Sequence, residues 1–142
     1  MENKKYDLID RTEIFALKTR DFSVLLKKNI INIEYIKQLV RASGSVAANY
    51  IEANENLGEN DLKYRIKICR KESKECKLWL NLMLTYQNMD LDKTKSELLQ
   101  EAFELENIFG AILKKFPGSE SQLSNREMRP AMPRAGRRPT TS

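Results

Sequence analysis

The residues of this sequence best suited to chemistry are five cations that recur every three or four positions. They are Lys63, Lys67, Arg70, Lys74 and Lys77. An α-helix turns by about 100° per residue, so this spacing predicts one basic stripe along a single helix. A row of cations with no acid inside it suits the phosphates of a nucleic-acid backbone. A plain solvated helix face is the other interpretation, and the sequence leaves both open.

Catalysis and metal binding have little support in the sequence. It contains no histidine, which is the commonest general base and metal ligand. Carboxylate metal sites in helix bundles use Glu-x-x-His pairs. We therefore interpret the candidate carboxylates as partners of nearby arginines and lysines, and expect Glu72, if buried, to pair with Arg41 or Arg65. These four residues are Glu52, Glu55, Glu72 and Glu75. The sequence predicts no catalytic residue, metal or cofactor, and a bundle enzyme would require an unexpected carboxylate cluster in the core.

Four amphipathic segments position the stripe, at about residues 10–28, 33–56, 60–87 and 94–116. The third carries an apolar seam one residue before the cations, namely Leu62, Ile66, Cys69, Ser73, Cys76, Leu80 and Met83. The apolar faces of the first two include Leu17 and Leu25, and Val40 and Ile51. Short connections make neighbouring helices antiparallel. The prediction is an all-α, up-down-up-down four-helix bundle over residues 1–116, followed by a disordered tail rich in Arg, Pro and Ser over residues 117–142.

Charge and cysteine content indicate a cytoplasmic protein. The net charge is +5, but the tail has five arginines and two glutamates, so the bundle itself carries only +2. No apolar run approaches the roughly 18 residues that span a bilayer, and the N-terminus does not resemble a signal peptide. The two cysteines are seven helical residues apart, roughly 10 Å, which is too far for a disulfide. We expect a reducing compartment and no membrane partner.

The second helix has an unusual flank of small residues from Arg41 to Asn49. Gly44 and its neighbours there either pack tightly inside the monomer or let another subunit approach. On the third helix, the flank one residue before the seam is partly apolar where a monomer would favour polar groups. Two such flanks are what a homo-oligomer needs. The predicted interface comprises Ser45, Ala48, Asn49, Glu52, Ile68 and Trp79.

Two motifs give the chain a family resemblance. QLVRASGSVAANYIEANE (Gln38 to Glu55) followed by RIKICRKESKECKLWL (Arg65 to Leu80) resembles the 23S rRNA intervening-sequence proteins, as does the opening from Lys5 to Thr12. The resemblance extends from about Tyr6 to Phe116. The small-residue motif of the family falls on 43–49, with Ala47 where a glycine is expected. The tail has no counterpart.

The resemblance implies a four-helix bundle with a basic surface. The family is similar to the accessory proteins of diversity-generating retroelements, which form pentameric rings and bind nucleic acid. The resemblance therefore implies a homopentamer and an RNA or DNA partner, although no biochemical function is settled for the family. The leading hypothesis is a non-enzymatic, oligomeric bundle that binds nucleic-acid backbone through the stripe. The alternative is a protein-interaction or assembly module without a nucleic-acid role.

Overall fold

Four helices make up residues 7–117, the part of the chain that this computed structural model describes. They are α1 (Leu8–Leu25), α2 (Ile30–Ala53), α3 (Glu59–Leu82) and α4 (Met89–Lys114). Within that span there is no β-strand. The predicted all-α bundle is confirmed. The predicted disordered tail lies outside the described residues, apart from Pro117.

Each helix packs against two neighbours, in the ring α1, α2, α3, α4 and back to α1. The order of cross-helix contacts shows that α2 and α3 run antiparallel. As α2 advances along the chain, its hydrogen-bond partners on the α3 side come earlier in sequence: Asn32 pairs with Leu84, Arg41 with Glu72, and Asn49 with Arg65. The α1–α4 contact is the least extensive of the four. Because α3 packs between α2 and α4, one side of its surface lies outside the ring of helices.

Side-chain caps start the helices earlier than the sequence analysis predicts. Asp7, Asn29 and Asn88 each accept a hydrogen bond from the backbone N–H three residues ahead, at 2.9, 2.8 and 2.9 Å. α1 thus begins before residue 10, α2 before 33 and α4 before 94. α3 follows Gly58, whose φ of +111° suits glycine because other residues rarely adopt it. α3 also ends at Leu82 rather than near 87, so its predicted length was too long.

The core forms along the predicted seam of α3 and along Leu98, Ala102, Leu105 and Phe109 of α4. Every seam residue of α3 is buried except Leu62, which is half-buried. Four apolar residues expected on core faces are exposed instead, by 40% (Leu17), 69% (Leu25), 45% (Val40) and 49% (Ile51). The physical reason is that each helix contacts only two neighbours, so the buried arc is narrower than the apolar face. Phe15, which the apolar pattern of α1 did not assign, is fully buried.

A buried asparagine fixes the end of the bundle where α3 stops. Asn32 Nδ2 donates to the carbonyl oxygens of Lys27 and Leu84, at 3.0 and 2.9 Å. Its Oδ1 accepts from the Leu84 backbone N–H at 2.9 Å. All its amide hydrogen-bonding groups are therefore used without water. This contact holds the chain leaving α3 against the start of α2 and so fixes the direction of α3.

Candidate nucleic-acid interface

The surface of α3 is divided into strips that meet different partners. The seam faces the core, and the residues one position before it lie toward α2. The residues one position after the seam, which include the five predicted cations, begin the side that faces α4. Only the strip opposite the seam lies outside the ring. The exposure of each cation therefore depends on how much of its side chain α4 covers.

Toward α2, α3 makes a network of paired polar groups. Arg41 Nη2 lies 3.3 Å from Glu72 Oε1 and 3.2 Å from Glu75 Oε1. The hydrogen bond with Glu72, and then the charges of both carboxylates, outweigh desolvation and raise the pKa of Arg41. Arg65 Nη1 donates to Asn49 Oδ1 at 2.9 Å. The expected pairing of Glu72 is thus found, with Arg41 as its partner.

The contact with α2 also covers the apolar flank of α3, the residues one position before the seam. The Trp79 ring stacks on Tyr35 of α2 with a centroid separation of 6.0 Å, and Ile68 is half-buried. The sequence argument assumed that a monomer would expose this flank, and that premise was wrong because α2 covers it. Asn49 is likewise engaged within the chain, by Arg65 and by Ser45. Of the residues predicted for a subunit interface, Ala48 and Glu52 are exposed.

Toward α4, three of the five predicted cations are partly covered. Lys77 Nζ lies 2.6 Å from Glu106 Oε1, with only 30% of its side chain exposed, and 5.3 Å from the centre of the Phe103 ring. Lys63 Nζ lies 6.0 Å from the centre of the Phe116 ring. Arg70 is half-buried beside Gly110, where an added β-carbon would lie 3.6 Å from Arg70 Nε. Three residues of the stripe therefore take part in the packing of α3 against α4.

The outer face of α3 consists of Tyr64, Lys67, Lys71, Lys74 and Leu78, all of which are exposed. At about 100° per residue these five side chains fall within about 80° of the helix circumference. Lys67 and Lys74 belong to the predicted stripe. Lys71 was missed because it follows a seam residue by two positions, although its side chain is 63% exposed and its ammonium is 3.9 Å from the already paired Glu72. A search for the strip opposite the seam would have found it.

The outer face of α2 has a different character. It is mostly small or apolar, with Val40, Gly44, Ala48 and Ile51 exposed, and Lys37 is the one charged residue within the same arc of the helix. A β-carbon on Gly44 would meet no other part of the described chain within 4 Å. The interpretation in which this segment packs tightly inside the monomer is therefore wrong for Gly44, although its neighbours Ser43 and Val46 are buried. A mid-helix glycine costs about 1 kcal/mol relative to alanine, and no contact in residues 7–117 compensates for it.

The cysteines, Cys69 and Cys76, lie in the core and are unpaired. Burial raises the pKa of Cys69 to about 12, and it also raises the pKa of Cys76, where Glu72 and Glu75 add to the effect. Both are therefore neutral thiols that lack the nucleophilicity of a thiolate. Across residues 7–117 no three His, Cys, Asp or Glu side chains are grouped to hold a metal ion. The carboxylate cluster that a bundle enzyme would require is not found there.

A groove of about 610 Å³ lies between α1 and α4. Its floor includes Phe15 and Phe22, and charged residues surround it. Arg11 donates to Glu101 at 2.7 Å and to Glu104 at 2.7 Å, so the charges at this rim are paired with one another. Hydrogen bonds from Gln100 and then Arg11 lower the pKa of Glu104. The groove follows from the limited α1–α4 contact and presents no unpaired charge for a ligand at this end.

Together these features define a class of protein, a four-helix bundle with one outer face rich in lysine and one rich in small and apolar residues. The sequence model of the 23S rRNA-intervening sequence protein family matches residues 4–111, and the chain belongs to this family. The predicted resemblance is confirmed. In the described span, none of the helices combines the length and apolarity needed to cross a bilayer.

One solved structure of similar fold comes from Bacteroides thetaiotaomicron. It is described as a protein of unknown function from the S23 ribosomal protein family. Its TM-score with this chain is 0.64 at 22% sequence identity, and the match covers 75% of this chain and 98% of that one. At this identity the likeness supports the fold alone. A comparison with curated proteins gives no match.

Proposed function

We propose that this chain is a non-enzymatic, self-associating bundle that binds the phosphates of nucleic acid through the outer face of α3. The observation that carries the proposal is the exposed row of Lys67, Lys71 and Lys74. Like charges three and four residues apart on a helix repel by a few tenths of a kcal/mol per pair. A phosphate backbone relieves that repulsion and releases counterions as it binds.

Of the predicted stripe, Lys67 and Lys74 are assigned direct phosphate contacts. Lys63, Arg70 and Lys77 are assigned to the rim toward α4, where they add positive potential while contacting α4. Backbone contacts carry no sequence information, so binding is expected to be independent of sequence. The family description refers to intervening sequences of 23S rRNA, which makes RNA the first ligand to test.

The outer face of α2 is proposed as the contact between copies. Its exposed glycine and apolar side chains suit the close approach of another helix. The number five for the assembly comes from the resemblance described above. A ring would place one cationic face per subunit on a common assembly, and linked sites raise overall affinity without any new contact. The two unpaired thiols in the core suit a reducing compartment, and the proposal places the protein in the cytoplasm.

The test is charge reversal with a matched control. The test variant carries Lys67→Glu, Lys71→Glu and Lys74→Glu, and the control carries Lys18→Glu, Lys93→Glu and Lys114→Glu, which are exposed lysines of α1 and α4. Both change the net charge equally. We expect the first to lose RNA binding by about 100-fold or more at low salt, since several phosphate contacts are lost, and the second to lose far less. Equal losses would show that net charge alone attracts the ligand.

A second candidate function is a protein-interaction module without nucleic-acid binding. The observation that favours it is the pairing of Lys77 with Glu106, which shows that part of the stripe already has an acidic protein partner. Competition experiments distinguish the two functions. Polyglutamate, an acidic polypeptide without phosphates, is expected to displace RNA only at a large excess if the site binds phosphates. If polyglutamate and RNA bind equally, an acidic partner protein becomes the better assignment.

A further inference from the structure

The outer face of α3 contains one aromatic side chain whose ring the bundle does not bury. Tyr64 is 58% exposed, whereas Tyr35 and Tyr50 pack against the core. It precedes Lys67 by three residues and Lys71 by seven, which places all three on one side of the helix. The bundle thus presents an exposed aromatic ring to solvent beside a cationic row.

The Tyr64 ring contacts a cation of the same helix, Arg65. The Arg65 guanidinium carbon lies 5.7 Å from the centre of the Tyr64 ring, within the range of cation–π attraction. Arg65 is itself held by Asn49 at 2.9 Å and lies 3.7 Å from Asp61. The contact restrains the tyrosine before any ligand arrives, so less side-chain entropy is lost on binding.

The spacing places a base-sized surface next to a phosphate site. Tyr64 and Lys67 differ by a rise of about 4.5 Å, and Lys67 and Lys71 by about 6 Å. A strand that follows the lysines with its phosphates can turn a neighbouring base onto the ring. In a duplex both faces of each base are already stacked and the bases are paired, so only an unpaired base gains from the tyrosine.

From this arrangement we infer that the ligand of the outer face of α3 is single-stranded nucleic acid, with Tyr64 stacking on an unpaired base. This inference rests on the proposed function and adds the class of strand. The lysines supply affinity for any backbone, and the tyrosine supplies the preference between strands.

The experiment compares three ligands: a short unstructured RNA strand, the blunt duplex it forms with its complement, and inorganic polyphosphate. Replacing Tyr64 by alanine is expected to weaken binding of the single strand about fivefold or more, while duplex and polyphosphate affinities stay within about twofold. Tyr64→Phe keeps the ring and is expected to bind like the unmodified chain. Tyr86→Ala removes another exposed tyrosine at the end of the bundle and serves as the control.

The outcomes separate this inference from the proposed function. If the unmodified chain binds none of the three ligands, the proposed function fails. If it binds duplex as tightly as single strand, or if Tyr64→Ala leaves single-strand affinity unchanged, the inference is overturned and the proposed function stands. An equal loss for all three ligands would also overturn it, because a stacking contact cannot affect polyphosphate. The mass in solution, recorded on the same samples, shows whether the assembly has changed.

Discussion

The outer faces of α2 and α3 belong to neighbouring helices but contrast in chemistry. On α2 the exposed face is mostly small or apolar, with Val40, Gly44, Ala48 and Ile51 around a single lysine, whereas on α3 it contains three lysines within about two turns. Each face is unfavourable in a lone monomer, since one exposes apolar groups and a mid-helix glycine and the other sets like charges side by side. The proposed function relieves each face with a different partner, another copy of the chain on α2 and a polyanion on α3.

The largest effect is expected from a bulky charge on the α2 face. Ala48→Arg places a long cation where another helix is proposed to pack, so the assembly is expected to dissociate to the mass of one chain by light scattering. RNA affinity is expected to fall with it, because the linked binding sites are separated. Asn107→Arg, at an exposed position of α4, is the matched control and should keep the unmodified mass. A dissociated control, or an undissociated Ala48→Arg, would break the assignment of the α2 face.

A smaller effect distinguishes the outer face of α3 from its α4 side. Lys77→Met leaves the Glu106 carboxylate, whose side chain is only 14% exposed, without its partner at 2.6 Å. It should lower the free energy of unfolding by about 1 kcal/mol in urea titration, with little change in RNA affinity. Lys71→Met should do the reverse, with stability kept within about 0.5 kcal/mol and affinity reduced severalfold. The same profile for both variants would remove the distinction between the two sides.

The smallest effect is expected from a substitution at Gly44, which tests whether another copy of the chain covers the outer face of α2. In a lone monomer Gly44→Ala should stabilise the helix by about 1 kcal/mol, because its β-carbon would point into open space. If another copy packs closely there, the added methyl should weaken assembly instead. We expect a raised unfolding midpoint in the dissociated Ala48→Arg background and weaker association in the native background. A stabilised and equally tight oligomer would show that the contact lies elsewhere.

The helices and their buried seams could be predicted from sequence because the repeat of apolar residues reports directly on the core. The seam of α3, from Ile66 to Met83, was found without knowing its neighbours. What the pattern cannot report is which helix lies beside a flank. Trp79 was assigned to a subunit interface because its intrachain partner Tyr35 is distant in sequence, and Lys77 was counted with the free cations because Glu106 was not known to face it.

Lys71 was missed for a different reason. It lies two positions after a seam residue, in the strip opposite the seam, whereas the sequence analysis considered only the cations next to the seam. Helix ends were mispredicted for a local reason. Asparagines at 29 and 88 cap the following helix, whereas the apolar pattern becomes regular only one turn later, so the predicted starts were late.

The central claim, that the outer face of α3 binds nucleic-acid phosphates, is tested most directly by RNA affinity across a salt series. It should be measured on the full chain and on residues 1–117, so that the arginines of the tail are counted separately. The account predicts a logarithmic slope of about −2 per chain, from three phosphate contacts on a single strand, which Lys67→Glu, Lys71→Glu and Lys74→Glu together abolish. No binding at low salt, or a slope that survives those three changes in residues 1–117, would contradict it.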